Sequence, residues 1–205
     1  MTYRKQHVSV RQIRVPACVR RDLASVLAVV GRDLVWKAVR GNRIRVGAVA
    51  GTIDFYGYRC LSLMSYGVLY RLRANRVAWM LEHKRDVRPG CYIDHIDGDK
   101  LNNNPRNLRE VSCAVNNLNK RAAKSSTQSG LLGVTFDTTN NKWRAQLRHS
   151  GRVFNSRRFS LCTDAVEAYW SEKFSADPSM MSTWLSVRKQ QLALAVSFDS
   201  KAGHM

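Results

Sequence analysis

The hydrophobic positions of this chain change period several times, and each change marks an element. Residues 22–31 read as a short helix that starts at Asp22 and is closed by Gly31. Leu34-Val35-Trp36 is an apolar triplet expected as a strand, followed by a basic, glycine-punctuated connection through residues 40–51. The runs 58–64 and 68–72 flank Ser65-Tyr66-Gly67 and predict a hairpin. Over residues 73–83 the apolar positions move to helical spacing, with Val77, Met80 and Leu81 on one side and Trp79 beside them. Pro89-Gly90 then turns the chain into a short strand ending at Tyr92-Ile93. Residues 108–111 form a second strand, and Ser112 caps a helix reaching about Lys120.

Residues 122–130, AAKSSTQSG, are small and polar, a linker by composition. A new unit begins with the strand 133–136. Residues 142–148 alternate strictly, with Trp143, Ala145 and Leu147 on one face and Lys142, Arg144, Gln146 and Arg148 on the other. Ser150-Gly151 turns into a third strand over 152–159. Thr163 is expected to cap a helix over 164–175 whose Ala165, Ala168 and Tyr169 face the sheet. A further helix over 179–197 offers Met181, Trp184, Leu185, Leu192 and Ala195 for packing, and the tail from Asp199 is expected to be unstructured. At the other end, the basic residues 1–21 leave a flexible arm and an outer strand both open.

Composition narrows the partners. The 205 residues leave room for one or two modest domains, and the formal net charge is +19. The excess is uneven. Residues 1–45 hold eleven Lys and Arg against Asp22 and Asp33, and residues 120–160 hold nine against Asp137. A positive field so focused points to a polyanion, and no basic amphipathic helix stands out to favour a membrane surface. No apolar run is long enough to span a bilayer, and the start lacks a signal-peptide core, so a cytoplasmic protein is expected. The five cysteines (Cys18, Cys60, Cys91, Cys113 and Cys162) are scattered and odd in number, which suits reduced thiols. Without a CxxC pair, no structural zinc is expected.

The densest chemistry lies in residues 94–119, DHIDGDKLNNNPRNLREVSCAVNNLN. Carboxylate, imidazole and amide oxygen at this density suit one hard metal ion beside a general base, and the surrounding Arg and Lys suit a phosphate. Asp94 and His95 are adjacent, so a regular strand sends them to opposite faces. They can serve one site only if the strand ends at them. Asn116 lies one helical turn past Ser112 and can reach back over the strands. The plainer alternative is a solvated, asparagine-rich loop beside a satisfied histidine, against which several spaced matches weigh at once.

Asp94-His95, Asn107 and Asn116, with NNN-x-x-NLR-x-V between them, resemble the ββα-metal motif of HNH endonucleases. The closest subgroup is that of the phage HNH homing endonucleases, with Asn at the third motif position. The resemblance implies that His95 is the general base that activates water. It implies that Asp94 and Asn116 hold one divalent metal, Mg²⁺ with Mn²⁺ able to substitute. It gives Asn107 the task of tying the loop together and orienting His95. Asp97 and Asp99 are read as bounding the turn around Gly98, not as a second metal site. The preceding run, through GYR to YRLRANRVAW, also resembles the phage family. Asn75 stands where relatives commonly carry His, a departure read as structural.

Farther along, G-V-x-F at 133–136, W-R-A at 143–145, and Phe159 followed by Ala165, Ala168 and Tyr169 resemble a DNA-binding domain of the APETALA/ethylene-response type. That resemblance implies a sheet whose polar face enters the major groove of double-stranded DNA. Thr135, Arg144, Gln146 and Arg148 are its implied contacts, with Arg152, Arg157 and Arg158 beside them. Ser156-Arg157-Arg158 replaces the usual Leu-Gly, and Thr135 and Asp137 stand where plant members often carry Arg, so sequence preference is not carried over.

The expected fold is α+β: a ββα-metal HNH module with N-terminal antiparallel strands, then a three-stranded antiparallel sheet plus helix. The expected organisation is a basic arm and short helix (1–30), a nuclease domain (31–121), a linker (122–130), an APETALA-type domain (131–176) and a C-terminal helix and tail (177–205). The expected function is metal-dependent hydrolysis of DNA phosphodiesters by a monomer, in a bacterial host cytoplasm if phage-encoded. The alternative is a non-catalytic DNA-binding protein or regulator with a degenerate nuclease module.

Overall fold

The computed structural model describes residues 7–9, 14–39, 44–123, 127 and 129–202. The rest of the expected arm (1–6 and 10–13), part of the basic connection (40–43), part of the expected linker (124–126 and 128) and residues 203–205 lie outside the described residues. The chain divides into two compact units, Met1–Cys113 and Ala114–Met205. It is a mixed α+β protein built on several small, mainly antiparallel sheets.

The first unit runs β1 (His7–Ser9), α1 (Ala17–Val26), β2 (Leu27–Val30), β3 (Asp33–Trp36), β4 (Thr52–Ile53), β5 (Arg59–Ser65), β6 (Val68–Arg73), α2 (Ala74–His83), β7 (Cys91–His95) and β8 (Leu108–Ser112). β5 and β6 form the expected hairpin. Tyr66 and Gly67 both take positive φ, 50° and 74°, as a two-residue turn matched to strand twist requires. β4 adds antiparallel to β5, and β1 adds parallel to β6, so part of the basic N-terminal stretch is an outer strand. The core beneath gathers Leu23 of α1, Leu61 and Leu63 of β5, and Val77, Ala78 and Trp79 of α2.

One expectation fails at residues 22–31. The helix begins earlier, at Ala17 behind Pro16, and stops at Val26. Leu27–Val30 is a strand that pairs with β3 across Gly31 (φ 60°). The β-branched pair Val29-Val30 fits a pleated strand better than a helix, and the glycine that reads as a helix stop is a hairpin turn.

A short helix, α3 (Cys113–Leu118), follows β8 directly in sequence. The second unit continues with β9 (Val134–Asp137), β10 (Lys142–His149), β11 (Arg152–Phe159), α4 (Cys162–Ala176) and α5 (Met181–Ala202). The three strands make an antiparallel meander with β10 in the middle. Trp143, Ala145 and Leu147 are buried, as their alternation predicts, and α4 covers them with Ala165, Val166, Tyr169 and Trp170. The approach is close at Gly133. A Cβ there would sit 2.3 Å from the Tyr169 ring and 2.5 Å from the Gln146 carbonyl oxygen.

The C-terminal helix corrects two further expectations. α5 extends through Asp199, which the pattern places in an unstructured tail. Its carboxylate accepts hydrogen bonds from the backbone N–H groups of Cys162 (2.6 Å) and Thr163 (3.1 Å) and from the Thr163 hydroxyl (2.9 Å). The cap of α4 is therefore a distant carboxylate and not Thr163 itself, because the orphan N–H groups and the helix dipole at that end favour an anion. Trp184 and Ala195 are buried as expected, whereas Met181 and Leu185 are exposed.

Lys173 is the least expected member of this core. It is fully buried, donates to the Lys120 carbonyl oxygen at 2.7 Å, and has Trp170 and Trp184 ring centroids at 4.7 and 4.5 Å from Nζ. Burial pushes its pKa down to about 7, and the nearby Arg121 charge pushes the same way. An unfolded lysine titrates near 10.4, so between about pH 7 and 10 the unfolded chain binds the extra proton and stability rises with pH. We expect the denaturation midpoint of the full chain to climb over that range. Lys173→Met should flatten the climb, as measured by urea titrations at pH 7, 8 and 9.

Candidate active site

β7 and β8 are joined by a twelve-residue loop, 96–107, and pair antiparallel with Asp94 opposite Arg109 and His95 opposite Leu108. Polar groups stitch the loop shut. Asn107 lies at the centre of the stitch. Its Oδ1 accepts from the Asp97 backbone N–H (3.0 Å), and its Nδ2 donates to Asp97 Oδ1 and to the Asn102 carbonyl oxygen (both 2.9 Å). Asp97 also accepts from the Asp99 N–H (2.8 Å) and from Asn102 Nδ2 (2.7 Å). Burial raises the Asp97 carboxyl, but the hydrogen bonds from Asn102 and Asn107 outweigh it and hold the group below the usual range. Asp99 in turn accepts from the Leu101 N–H (2.9 Å) and pairs with Arg32. Both acids thus shape the turn at Gly98, whose φ is 77°.

The strand ends at His95, whose side chain is 4 % exposed. Its Nε2 lies 3.5 Å from Asn103 Oδ1, a long contact, and its ring centroid lies 6.1 Å from that of Tyr58. Asn103 is 1 % exposed, receives no solvent, and is fixed from both ends. Its Nδ2 donates to the Leu101 carbonyl oxygen (3.2 Å) and its backbone N–H to the Arg32 carbonyl oxygen (2.8 Å). Because that amide nitrogen is committed to a carbonyl, the oxygen faces the imidazole. An amide oxygen only accepts, so a hydrogen bond at this contact requires the imidazole proton on Nε2. Burial lowers the His95 pKa, opposed by the Asn103 contact and the carboxylates of Asp97, Asp94 and Asp99.

Asp94 has a different set of partners. Its Oδ2 accepts from Arg109 Nε at 3.0 Å, an ion pair across the two strands. A carboxylate has about four lone-pair sites, of which the Arg109 contact takes one. Asn116 is half-buried on α3 and belongs to the second unit. Among the described residues, no group of three or more His, Cys, Asp or Glu is placed to hold a metal. The Asp94 carboxylate is a hard oxygen donor of the kind that Mg²⁺ accepts while keeping its waters.

Sequence reasoning missed Asn103, which sits in a run of three asparagines that nothing in the pattern distinguishes. It missed Arg109, although the NLR tripeptide places that residue two past Asn107 and, by strand register, opposite Asp94. Asn75, read as structural, is buried with Nδ2 donating to the Ile93 carbonyl oxygen (3.1 Å), so it braces β7 just before the site.

The second set of residues lies on the sheet of the other unit. Thr135, Arg144 and Arg158 are cross-strand neighbours, and Gln146 and Arg148 continue the same face of β10. Gln146 Nε2 donates to Asn155 Oδ1 (2.9 Å), and Arg158 Nε donates to Asp137 (2.9 Å). Arg152 and Arg157 are exposed but turn away from this face. Arg152 is opposite His149, and Arg157 lies over the Phe159 ring at 5.2 Å, past the irregularity between Arg144 and Gln146.

With this geometry in view, comparison places the chain. Residues 73–118 match the HNH endonuclease family, a span that includes α2, both strands, the stitched loop and α3. The chain thus carries an HNH endonuclease domain, and a nucleic acid is the partner such a domain implies. It is 32 % identical over 97 residues to Protein 3.8 of Escherichia phage T7, an alignment covering 47 % of this chain and 79 % of that protein. The chain belongs to the family of that phage protein. No solved structure matches it significantly. No helix among the described residues is long and apolar enough to cross a membrane.

Asn107→Ala removes three hydrogen bonds at once, each contributing about 0.5–1.5 kcal/mol net. We expect a loss of roughly 1.5–4.5 kcal/mol in stability, read from chemical denaturation. Faster amide exchange should appear at Asp97 before it appears in β5 or β6.

Proposed function

We propose that the chain is a metal-dependent DNA endonuclease in which His95 is the general base. The observation that carries the reading is a buried imidazole, held by Asn103 beside Asp94 at the end of β7, on a loop whose backbone is fixed by its own asparagines. Burial favours the neutral ring that a base requires near neutral pH. Nδ1 takes the proton of a water as that water attacks the phosphate, and Nε2 stays on Asn103. Asp94 and Asn116 would hold one Mg²⁺, for which Mn²⁺ would substitute. When bound, the ion offsets the charge that develops on the phosphate and the leaving oxygen. Arg109 aims the Asp94 carboxylate through their ion pair at 3.0 Å.

In the same proposal the outer face of the β9–β10–β11 sheet reads double-stranded DNA in the manner of an APETALA-type domain. Thr135, Arg144, Gln146, Arg148 and Arg158 face the groove. Arg152 and Arg157, on the other side of β11, are left to phosphate contacts.

One observation favours a second reading, a DNA-binding protein without catalysis: the Arg109 guanidinium already neutralises Asp94 without a metal. Incubation with supercoiled plasmid separates the two. The nuclease reading expects nicked or linear product with Mg²⁺ or Mn²⁺ and none in EDTA. Binding without cutting under either metal would establish the rival. Within the nuclease reading, Asp94→Asn and Asn116→Ala should each raise the Mg²⁺ concentration needed for half-maximal cleavage, Asp94→Asn the more because it removes the charge. An unaltered Mg²⁺ dependence would take that residue out of the site.

A further inference from the structure

Phe55 is 96 % exposed, the most exposed of the large apolar side chains in the described residues. It stands at the tip of the turn between β4 and β5, and that turn is held tightly. The Asp54 carboxylate accepts from the N–H groups of Tyr56 and Tyr58, both at 2.9 Å. The Asp54 N–H donates to the Tyr58 carbonyl oxygen (2.7 Å), and Gly57, at φ 79°, donates to the Asp54 carbonyl oxygen (2.9 Å). A turn this well bonded does not leave its phenyl ring outside by slackness. Burying such a ring stabilises a fold by about 1.5–3 kcal/mol, a gain this fold forgoes.

The turn is also tied to the candidate active site. Lys100 of the stitched loop donates Nζ to the Tyr56 carbonyl oxygen at 2.9 Å. Tyr58 presents its ring to His95 at 6.1 Å and is covered by the Arg73 guanidinium at 3.8 Å. Phe55 thus projects from a rigid tip within three residues of the ring beside His95. The turn is held by two cationic side chains, Arg73 over Tyr58 and Lys100 on the Tyr56 carbonyl, and its acid, Asp54, is occupied inside the turn.

We propose that Phe55 is an aromatic wedge that enters the DNA stack beside the scissile phosphate and unstacks one base step. The proposal rests on the nuclease reading of His95 and adds a residue that positions the duplex. Cationic neighbours and continuity with the catalytic loop select a nucleic acid as what the ring meets. Apolar side chains inserted between base steps are an established way for a protein to grip and kink a duplex. Three residues reach at most about 11 Å, the Tyr58 and His95 rings lie a further 6.1 Å apart, and bases rise about 3.4 Å per step, so the unstacked step lies within about five base pairs of the cut.

The test uses the full chain and short duplexes carrying the strongest mapped plasmid cut, each with a single 2-aminopurine, titrated in EDTA so that no cleavage occurs. The expected result is a rise in fluorescence at one or two positions within that window. Phe55→Ala should abolish the rise and weaken binding about 5- to 160-fold, since stacking of one base on an aromatic ring is worth about 1–3 kcal/mol. Phe55→Trp should retain both. Probes that stay dark throughout the window, or a Phe55→Ala protein with wild-type affinity and fluorescence, overturn the wedge even where Mg²⁺-dependent cleavage is intact. A wedge signal on a duplex that Mg²⁺ never cuts would instead remove the nuclease reading and leave the inserted ring standing.

Discussion

The reciprocal pairing of Asp97 with Asn107 is the constraint on which the site depends. One side chain closes a twelve-residue loop by bonding the backbone and the carboxylate of the same acid. Without it, the loop's backbone polar groups would face water in many conformations, and the ends of β7 and β8 would have no reason to stay in register. With it, Gly98 is held in its turn, Asn102 is pulled in, and Asn103 is left pointing at His95. The chemistry proposed for His95 is thus a consequence of where amide groups find partners.

The second unit solves a different problem with the same kind of device. Its buried polar groups find their partners far away in sequence. Asp199 of α5 caps α4, Gln191 accepts from the Leu132 N–H at 2.7 Å, and Asn119 accepts from Trp184 Nε1 at 2.9 Å. Lys173 meets the Lys120 carbonyl oxygen among aromatic rings. These buried polar contacts fix α5 against the sheet and α4, which leaves the opposite sheet face, with Arg144, Gln146 and Arg148, open to a partner.

How much of this was legible in the sequence follows from how local each determinant is. The β5–β6 hairpin, the alternation of β10 and the helix α2 depend on neighbours a few residues apart, and their periods show them directly. Asp94, His95 and Asn107 were visible because their spacing is a pattern. Asn103 was not, since burial alone distinguishes it from Asn102 and Asn104. The end of α1 was misplaced because Gly31 serves a helix end and a hairpin equally well, and only pairing with β3 decides. Asp199 could not be found by pattern at all, because its partners lie 36 and 37 residues away.

The account stands or falls on His95. The most direct test is single-turnover cleavage of mapped-site DNA by His95→Ala, with DNA affinity measured on the same protein by anisotropy. A lost general base costs on the order of 10²–10⁴-fold in rate, while affinity set by many phosphate contacts should change by less than about twofold. Cleavage at the wild-type rate by a folded His95→Ala protein would contradict the account.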